Sequence, residues 1–208
     1  MTIKYPNGKS FIQNDSNPPK IHNHNSINYA KRGMSLESEI NDSNQYYLQN
    51  NIAVIHKKPT PIRIVSVDYP KRSAAKIKEA YFQQASTTDY NGVYNGKYID
   101  FDAKETKNKT SFPLSNFHEH QIEHMRKCLA QGGICFAIIK FTLDNTIFVL
   151  DASILIDYWD KQNIINERKS IPKNDLFKKA IQIDYQINPI IPYLDGVDIL
   201  INQLKKEK

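Results

Sequence analysis

Asp89, Asp102 and Lys104 have the residue types that phosphodiester hydrolysis needs. Hydrolysis at neutral pH calls for a divalent cation to polarise the phosphate and to generate hydroxide from water. It also calls for a nearby positive charge to offset what builds up in the transition state. Hard cations such as Mg²⁺ take oxygen ligands, usually one or two carboxylates, and keep several waters. A minimal site is therefore one acid on a hairpin arm, a second acid on the partner strand, and a lysine two residues further on. Asn95-Gly96 sits between β-rich flanks and is a strong turn signal, which joins roughly 89–94 to 97–105. Residues whose numbers sum to about 191 then face each other, so Asp89 opposes Asp102. Like charges placed opposite one another are destabilising, and a metal is a natural reason to tolerate them.

The stretch "YIDFDAKETKNKT" explains how a strand would carry this set. Successive side chains point to opposite faces, so Asp100, Asp102 and Lys104 form one ridge while Ile99, Phe101 and Ala103 form the other. A solvated polar face above a buried apolar one fits the same alternation.

The elements around the hairpin follow from periodicity. "GMSLESEINDSNQYYLQNN" places Leu36, Ile40, Tyr47 and Leu48 at helical spacing, with Ser35 as a cap. "IAVIH" and "IRIVSVDY" read as strands separated by the basic, proline-stiffened "KKPTP". "AAKIKEAYFQQ" suits a helix by composition, but Ile77, Glu79 and Tyr81 fit a period of two, so it is read as a strand pairing with 62–69. "SNFHEHQIEHMRKCLAQGG" is a helix capped near Ser115 or Asn116 and stopped by Gly132-Gly133. "ICFAIIKFT" and "TIFVLD" are two more strands, "ASILIDYWDKQ" is a helix, and a loop-rich tail closes with a helix from about Tyr193. The order predicts an α/β fold around one mixed sheet.

The chain of 208 residues is expected to hold one domain over 32–208, preceded by a flexible arm over residues 1–31. That arm is rich in Asn, Ser, Pro and His and carries Lys4, Lys9, Lys20 and Lys31 against a single Asp15. Overall, 28 basic residues against 22 acidic ones give a formal charge of +6 and a pI near 9.1, a balance that suits a polyanionic partner. Cys128 and Cys135 match no disulfide framework or common zinc spacing, and are read as reduced thiols of a cytoplasmic protein. The N-terminal "MTIKYPNGKSFIQNDSNPPK" lacks the apolar core of a signal peptide, so export is not expected. "ICFAII" is too short to span a bilayer, which takes roughly 20 residues.

Several longer runs carry a resemblance. "YPNGK", "KRGMSLE", "IAVIHKKPTP", "YPKRSAA", "EAYFQQASTTDYNGVY", "YIDFDAKETKNKTSFPL", "NFHEHQIEHM" and "GGICF" together resemble the RecU family of Holliday junction resolvases, from Tyr5 to about Trp159. The resemblance implies a restriction-endonuclease-like fold of the PD-(D/E)xK type, with helices flanking the mixed sheet and a protruding β stalk at about 62–82. It implies a homodimer that nicks four-way junction DNA with Mg²⁺, or with Mn²⁺ in its place, during recombination and repair, leaving a 5′-phosphate. It further implies partners resembling the RecA recombinase and the branch-migration complex, and a nucleoid-associated location in the cytoplasm. Carried onto this sequence, the family's metal site resembles Thr87, Asp89, Asp102 and Gln121, with Lys104 as transition-state stabiliser. The family usually carries Glu where this chain has Asp102, one methylene shorter, which is expected to alter metal distance or cleavage rate.

Around that set lie basic residues that suit a phosphate-clamping surface: Arg32, Lys57, Lys58, Lys71, Arg72, Lys107 and Lys109. Each alone also reads as a solvated charge. Tyr81 and Phe82, on the segment resembling the stalk, are candidates for stacking or wedging at unpaired bases, with hairpin packing as the competing account. Glu37 is either an accessory acid or a solvated helix residue. His118, His120 and His124 cluster on one helix, and His120, His124 and Cys128 share a face at i, i+4, i+8. That spacing raises zinc, but the sequence shows no fourth ligand, and surface or supporting roles are preferred. Two other functions fit the sequence: a nuclease of the same fold acting on flap or duplex DNA, and a non-catalytic junction-binding regulator.

Overall fold

The computed structural model describes residues 35–70, 74–83, 86–164 and 168–206. The arm over 1–31 and the basic residues Arg32, Lys71 and Arg72 lie outside the described residues.

The chain opens with α1 (Leu36–Gln49), where the Ser35 hydroxyl accepts a hydrogen bond from the Ser38 N–H at 3.3 Å and caps the first turn. Strands β1 (Ala53–Lys57), β2 (Ile62–Asp68), β3 (Lys76–Phe82), β4 (Tyr90–Tyr94) and β5 (Lys97–Thr106) follow. After β6 (Ser111–Pro113) and a single 3₁₀ turn at Leu114–Asn116 comes α2 (Glu119–Ala130). Then come β7 (Ile134–Phe141), β8 (Thr146–Asp151), α3 (Ala152–Lys161), β9 (Ser170–Pro172), α4 (Lys173–Lys179), β10 (Ile181–Ile183) and α5 (Tyr193–Lys206).

Six strands form the central sheet in the order β1-β4-β5-β7-β8-β10. Only β5 and β7 run parallel; the other pairs are antiparallel. The sheet is mixed and flanked by helices, as in a restriction-endonuclease-like fold. One apolar cluster joins Ile99, Phe101, Phe136 and Ile138 to Ile40 of α1 and to Tyr193 and Val197 of α5. The other joins Cys135, Ala137 and Ile139 to Ile122 and Met125 of α2 and to Leu155 of α3. Both faces of β5 are therefore covered, and the solvated-face account of its polar ridge fails: Asp100 and Asp102 are each 0% exposed.

The hairpin register is the one the turn signal predicts. Tyr90 pairs with Phe101 and Tyr94 with Lys97, around Asn95 and Gly96 at φ 48° and 72°. Both turn residues have positive φ, which this two-residue turn needs and which Asn and Gly tolerate best. A stack of rings holds the register from within. Tyr90 lies on Phe101 with centroids 4.9 Å apart, and Phe101 lies on Phe136 at 4.7 Å, one ring from each of β4, β5 and β7. At Gly92 a side chain has no room, since an added Cβ would sit 2.2 Å from the Val54 carbonyl oxygen of β1.

Strands β2 and β3 pair with each other and with no strand of the central sheet. Their apolar side chains stay largely exposed, Tyr81 at 60% and Phe82 at 84%. "AAKIKEAYFQQ" is a strand over Lys76–Phe82, as its period of two predicts.

Two readings of the sequence need correction. The first residue of α2 is Glu119, with His118 at the cap, two to three residues beyond the expected Asn116 or Ser115. Asn116 instead donates its amide to the Glu105 carbonyl at 3.3 Å, and Phe117 is buried, so the chain docks on the core before the helix can start. The tail after α3 is also more ordered than the loop-rich segment expected, since it holds β9, α4 and β10. β9 completes a small ladder with β6, and β10 closes the edge of the central sheet against β8.

Candidate active site

Asp89 stands one residue before β4, and Asp102 one residue beyond the last ladder partner of that strand. The two carboxyls consequently come together at the open end of the hairpin, and Lys104 joins them from the same face of β5. Its Nζ lies 2.7 Å from Asp102 Oδ1 and 3.2 Å from Asp89 Oδ2.

The two acids differ in surroundings. Asp89 keeps 43% of its side chain exposed, whereas Asp102 has none. Neither Asp102 oxygen has an aligned hydrogen-bond partner, although its ion pair with Lys104 is close. Burial, followed by the adjoining Asp89 carboxyl, pushes the Asp102 carboxyl up to about 7. For Asp89, burial also acts upward, but the Asp102 and Lys104 groups overcome it and hold the carboxyl below its ordinary value. Lys104 is pushed down by burial, but Asp102 and Asp89 together push it up further, so its net shift is upward and it stays an ammonium. Two environments thus separate two chemically identical acids.

A buried carboxylate lacking aligned donors, beside a second carboxylate, suits a hard divalent cation that takes oxygen ligands. Thr87 adds a half-buried hydroxyl beside Asp89, which now donates to the Thr88 carbonyl at 3.1 Å. Gln121 is buried in the first turn of α2, with its Oε1 accepting from the His118 N–H at 3.0 Å. An amide oxygen has two lone pairs, so that capping bond leaves one free. Its neighbour His120 is close enough to Asp89 and Lys104 for their charges to act on it, though burial and then His118 lead in lowering its pKa.

Asp100 is the residue whose role the sequence did not disclose. It shares the ridge, but unlike Asp102 its two oxygens accept hydrogen bonds from several side chains. Lys58 Nζ donates to Asp100 Oδ2 at 2.8 Å, the Tyr98 hydroxyl donates to the same oxygen at 2.6 Å, and the Thr88 hydroxyl donates to Oδ1. His124 Nε2 lies 3.0 Å away. Lys58 also donates its backbone N–H to the Asp89 carbonyl at 2.8 Å and its ammonium to Thr88 at 2.9 Å. This network braces the segment that carries Thr87 and Asp89.

The remaining candidates separate by environment. Lys57 is half-exposed and ion-paired with Glu37, so the helix acid faces a lysine. Lys107 and Lys109 are exposed in the loop after β5. The Tyr81 hydroxyl donates to Glu79 at 2.8 Å and leaves the ring open to solvent. Among the His118, His120, His124 and Cys128 group, the rings of His118 and His120 stack at 5.5 Å, while His124 and Cys128 turn toward Asp100.

A family model described as Recombination protein U matches residues 31–199. The chain belongs to the RecU family. A relative from Lactiplantibacillus plantarum named Holliday junction resolvase RecU is 64% identical, with 98% of this chain and 98% of that protein covered. Proteins of the same name from Limosilactobacillus reuteri and Geobacillus kaustophilus are 63% and 57% identical, each covering at least 95% of this chain and 97% of the relative. Among the described residues, no helix is long and apolar enough to cross a membrane.

Proposed function

We propose that this chain is a Holliday junction resolvase, an endonuclease that makes paired, symmetric nicks in four-way DNA junctions during recombination and repair. The observation that carries the reading is the Asp102 carboxylate, buried without an aligned donor, between Asp89 and the Lys104 ammonium. The name borne by relatives at 57–64% identity supports the choice of substrate.

Thr87, Asp89, Asp102 and Gln121 would hold a divalent cation, Mg²⁺ by preference, with Mn²⁺ able to replace it. Bound there, the cation would polarise the scissile phosphate and lower the pKa of an attacking water. Lys104, already fixed by two carboxylates, presents its charge where the pentavalent phosphate accumulates negative charge. Asp100, Thr88 and Lys58 keep Asp89 in place while this happens. Exposed Lys107 and Lys109, with half-exposed Lys57, would meet the phosphate backbone, and Tyr81 on the β2–β3 pair would stack at the junction centre.

A two-fold homodimer would place one such site on each of two opposed strands. In-line attack would leave a 5′-phosphate. RecA recombinase and the branch-migration complex are the protein partners this reading assigns.

The test is cleavage of labelled four-way junction, flap and linear duplex with Mg²⁺. Paired symmetric nicks confined to the junction are expected. Equal cutting of flap or duplex would reassign the substrate, and junction binding with no cut at all would leave a non-catalytic binder.

A further inference from the structure

Asp100 Oδ2, His124 Nε2 and Cys128 Sγ lie within 4.8 Å of one another. His124 Nε2 is 3.0 Å from the Asp100 oxygen and 3.5 Å from the Cys128 sulfur. A tetrahedral zinc ion, with bonds of about 2.0–2.3 Å, sets its ligand atoms roughly 3.3–3.8 Å apart. The His124–Cys128 separation falls within that spacing and the His124–Asp100 separation lies 0.3 Å short of it, while Asp100 and Cys128 are within 4.8 Å of each other.

The fold explains why these three groups converge. His124 and Cys128 are four residues apart on α2 and so share one face. The pleat of β5 turns Asp100 toward that helix, away from the Phe101 cluster. Cys135, in register with Asp100 on β7, lies buried behind Cys128. A surface recess lined by Lys97, Tyr98, His124, Cys128 and Gly133 opens onto the histidine and the cysteine, giving an ion a way in and water a place as fourth ligand.

We infer that Asp100, His124 and Cys128 form a second metal site, selective for a zinc-class transition ion and separate from the all-oxygen site at Asp89 and Asp102. Thiolate and imidazole favour zinc-class ions, whereas Mg²⁺ gains nothing from sulfur. Cys128 would bind as thiolate, releasing its proton to water, and because the occupant shares Asp100 Oδ2 with Lys58 and Tyr98, binding weakens the Lys58 ion pair. Cysteine at 128 and histidine at 124, i and i+4 on one helix, were visible in the sequence; the carboxylate that completes the set comes from a strand twenty-four residues earlier.

Co²⁺ serves as the probe, titrated into the reduced full-length protein with Mg²⁺ in excess to occupy the oxygen site. The expected result is a near-ultraviolet thiolate-to-cobalt absorption band that Zn²⁺ abolishes. The band should vanish in Cys128→Ser, persist in Cys135→Ser, and need at least about tenfold more Co²⁺ in His124→Ala. No band in the native protein, or one that survives Cys128→Ser, overturns the site. Should Cys128→Ser not fold, the native protein still decides. Zn²⁺ should slow alkylation of Cys128 by iodoacetamide, read by peptide mass spectrometry, and an unchanged rate overturns the inference.

Discussion

The ammonium of Lys104 stands 2.7 Å from a carboxylate oxygen of Asp102, two residues earlier on the same face of β5. It also reaches Asp89 on the other arm of the hairpin, at 3.2 Å. One cation thus joins two acids whose mutual repulsion would otherwise spread the open end of the β4–β5 pair. Its removal should act on chemistry more than on binding. Lys104→Ala is expected to lower the junction cleavage rate by at least about 100-fold, the usual cost of losing one charge-stabilising donor. Asp89→Asn should do the same. Gel-shift affinity for the uncut junction should change little in either variant, and a Lys104→Ala protein that cuts at the native rate would remove the lysine from the mechanism.

Much of this geometry was legible because it is local. Asn95-Gly96 dictates a two-residue turn, and the pairing of Tyr90 with Phe101 follows by counting outward. Ser35 and the spacing of Leu36, Ile40 and Tyr47 announce α1 in the same way. The burial of Asp100 was not legible. Alternation along β5 looks the same whether its polar face meets water or a helix, and the deciding neighbours, β7 and α2, come later in the chain. Short elements escaped for a related reason. β9 and β10 have three residues each and are held by partners distant in sequence, so no local period marks them. Lys58 read as one more exposed base in a basic break, and only Asp100 shows where its charge is spent.

The Asp102 carboxyl gives a pH signature without metal. Its folded-state value near 7 lies above the 3.8 of an unfolded chain, so the native state binds that proton more tightly. This group's contribution to stability is therefore complete below about pH 4 and is lost as pH rises through about 7, with one pKa unit equal to about 1.4 kcal/mol. In metal-free buffer the melting temperature of the native protein, relative to Asp102→Asn, should fall across that window. Mn²⁺ at neutral pH should restore it in the native protein alone. Parallel pH profiles for the two proteins would show that the carboxyl is not buried as described.

Asp102→Glu tests reach. The side chain gains one methylene in a pocket where the aspartate has no exposed surface. Cleavage of the junction should be equal to or faster than native under matched Mg²⁺. A fall of more than about tenfold, equivalent to about 1.4 kcal/mol of barrier, would mean that this backbone has adjusted to the shorter acid.

Lys58 and Lys107 should respond to substitution in opposite ways. Lys58 Nζ is held by buried Asp100 and by Thr88, so Lys58→Ala removes the lysine cation from a carboxylate buried in the interior. Breaking such a pair from one side costs about 3 kcal/mol, which should appear as a lower denaturation midpoint, together with slower cutting because the Lys58 ammonium also holds Thr88, the residue beside Asp89. Lys107 is exposed in the loop after β5, and Lys107→Ala should leave the denaturation midpoint alone. It should instead weaken junction binding and reduce the slope of log affinity against log salt by about 1. A salt slope that drops for Lys58→Ala and not for Lys107→Ala would reverse the assignment, making the buried lysine the phosphate contact and the exposed one a bystander.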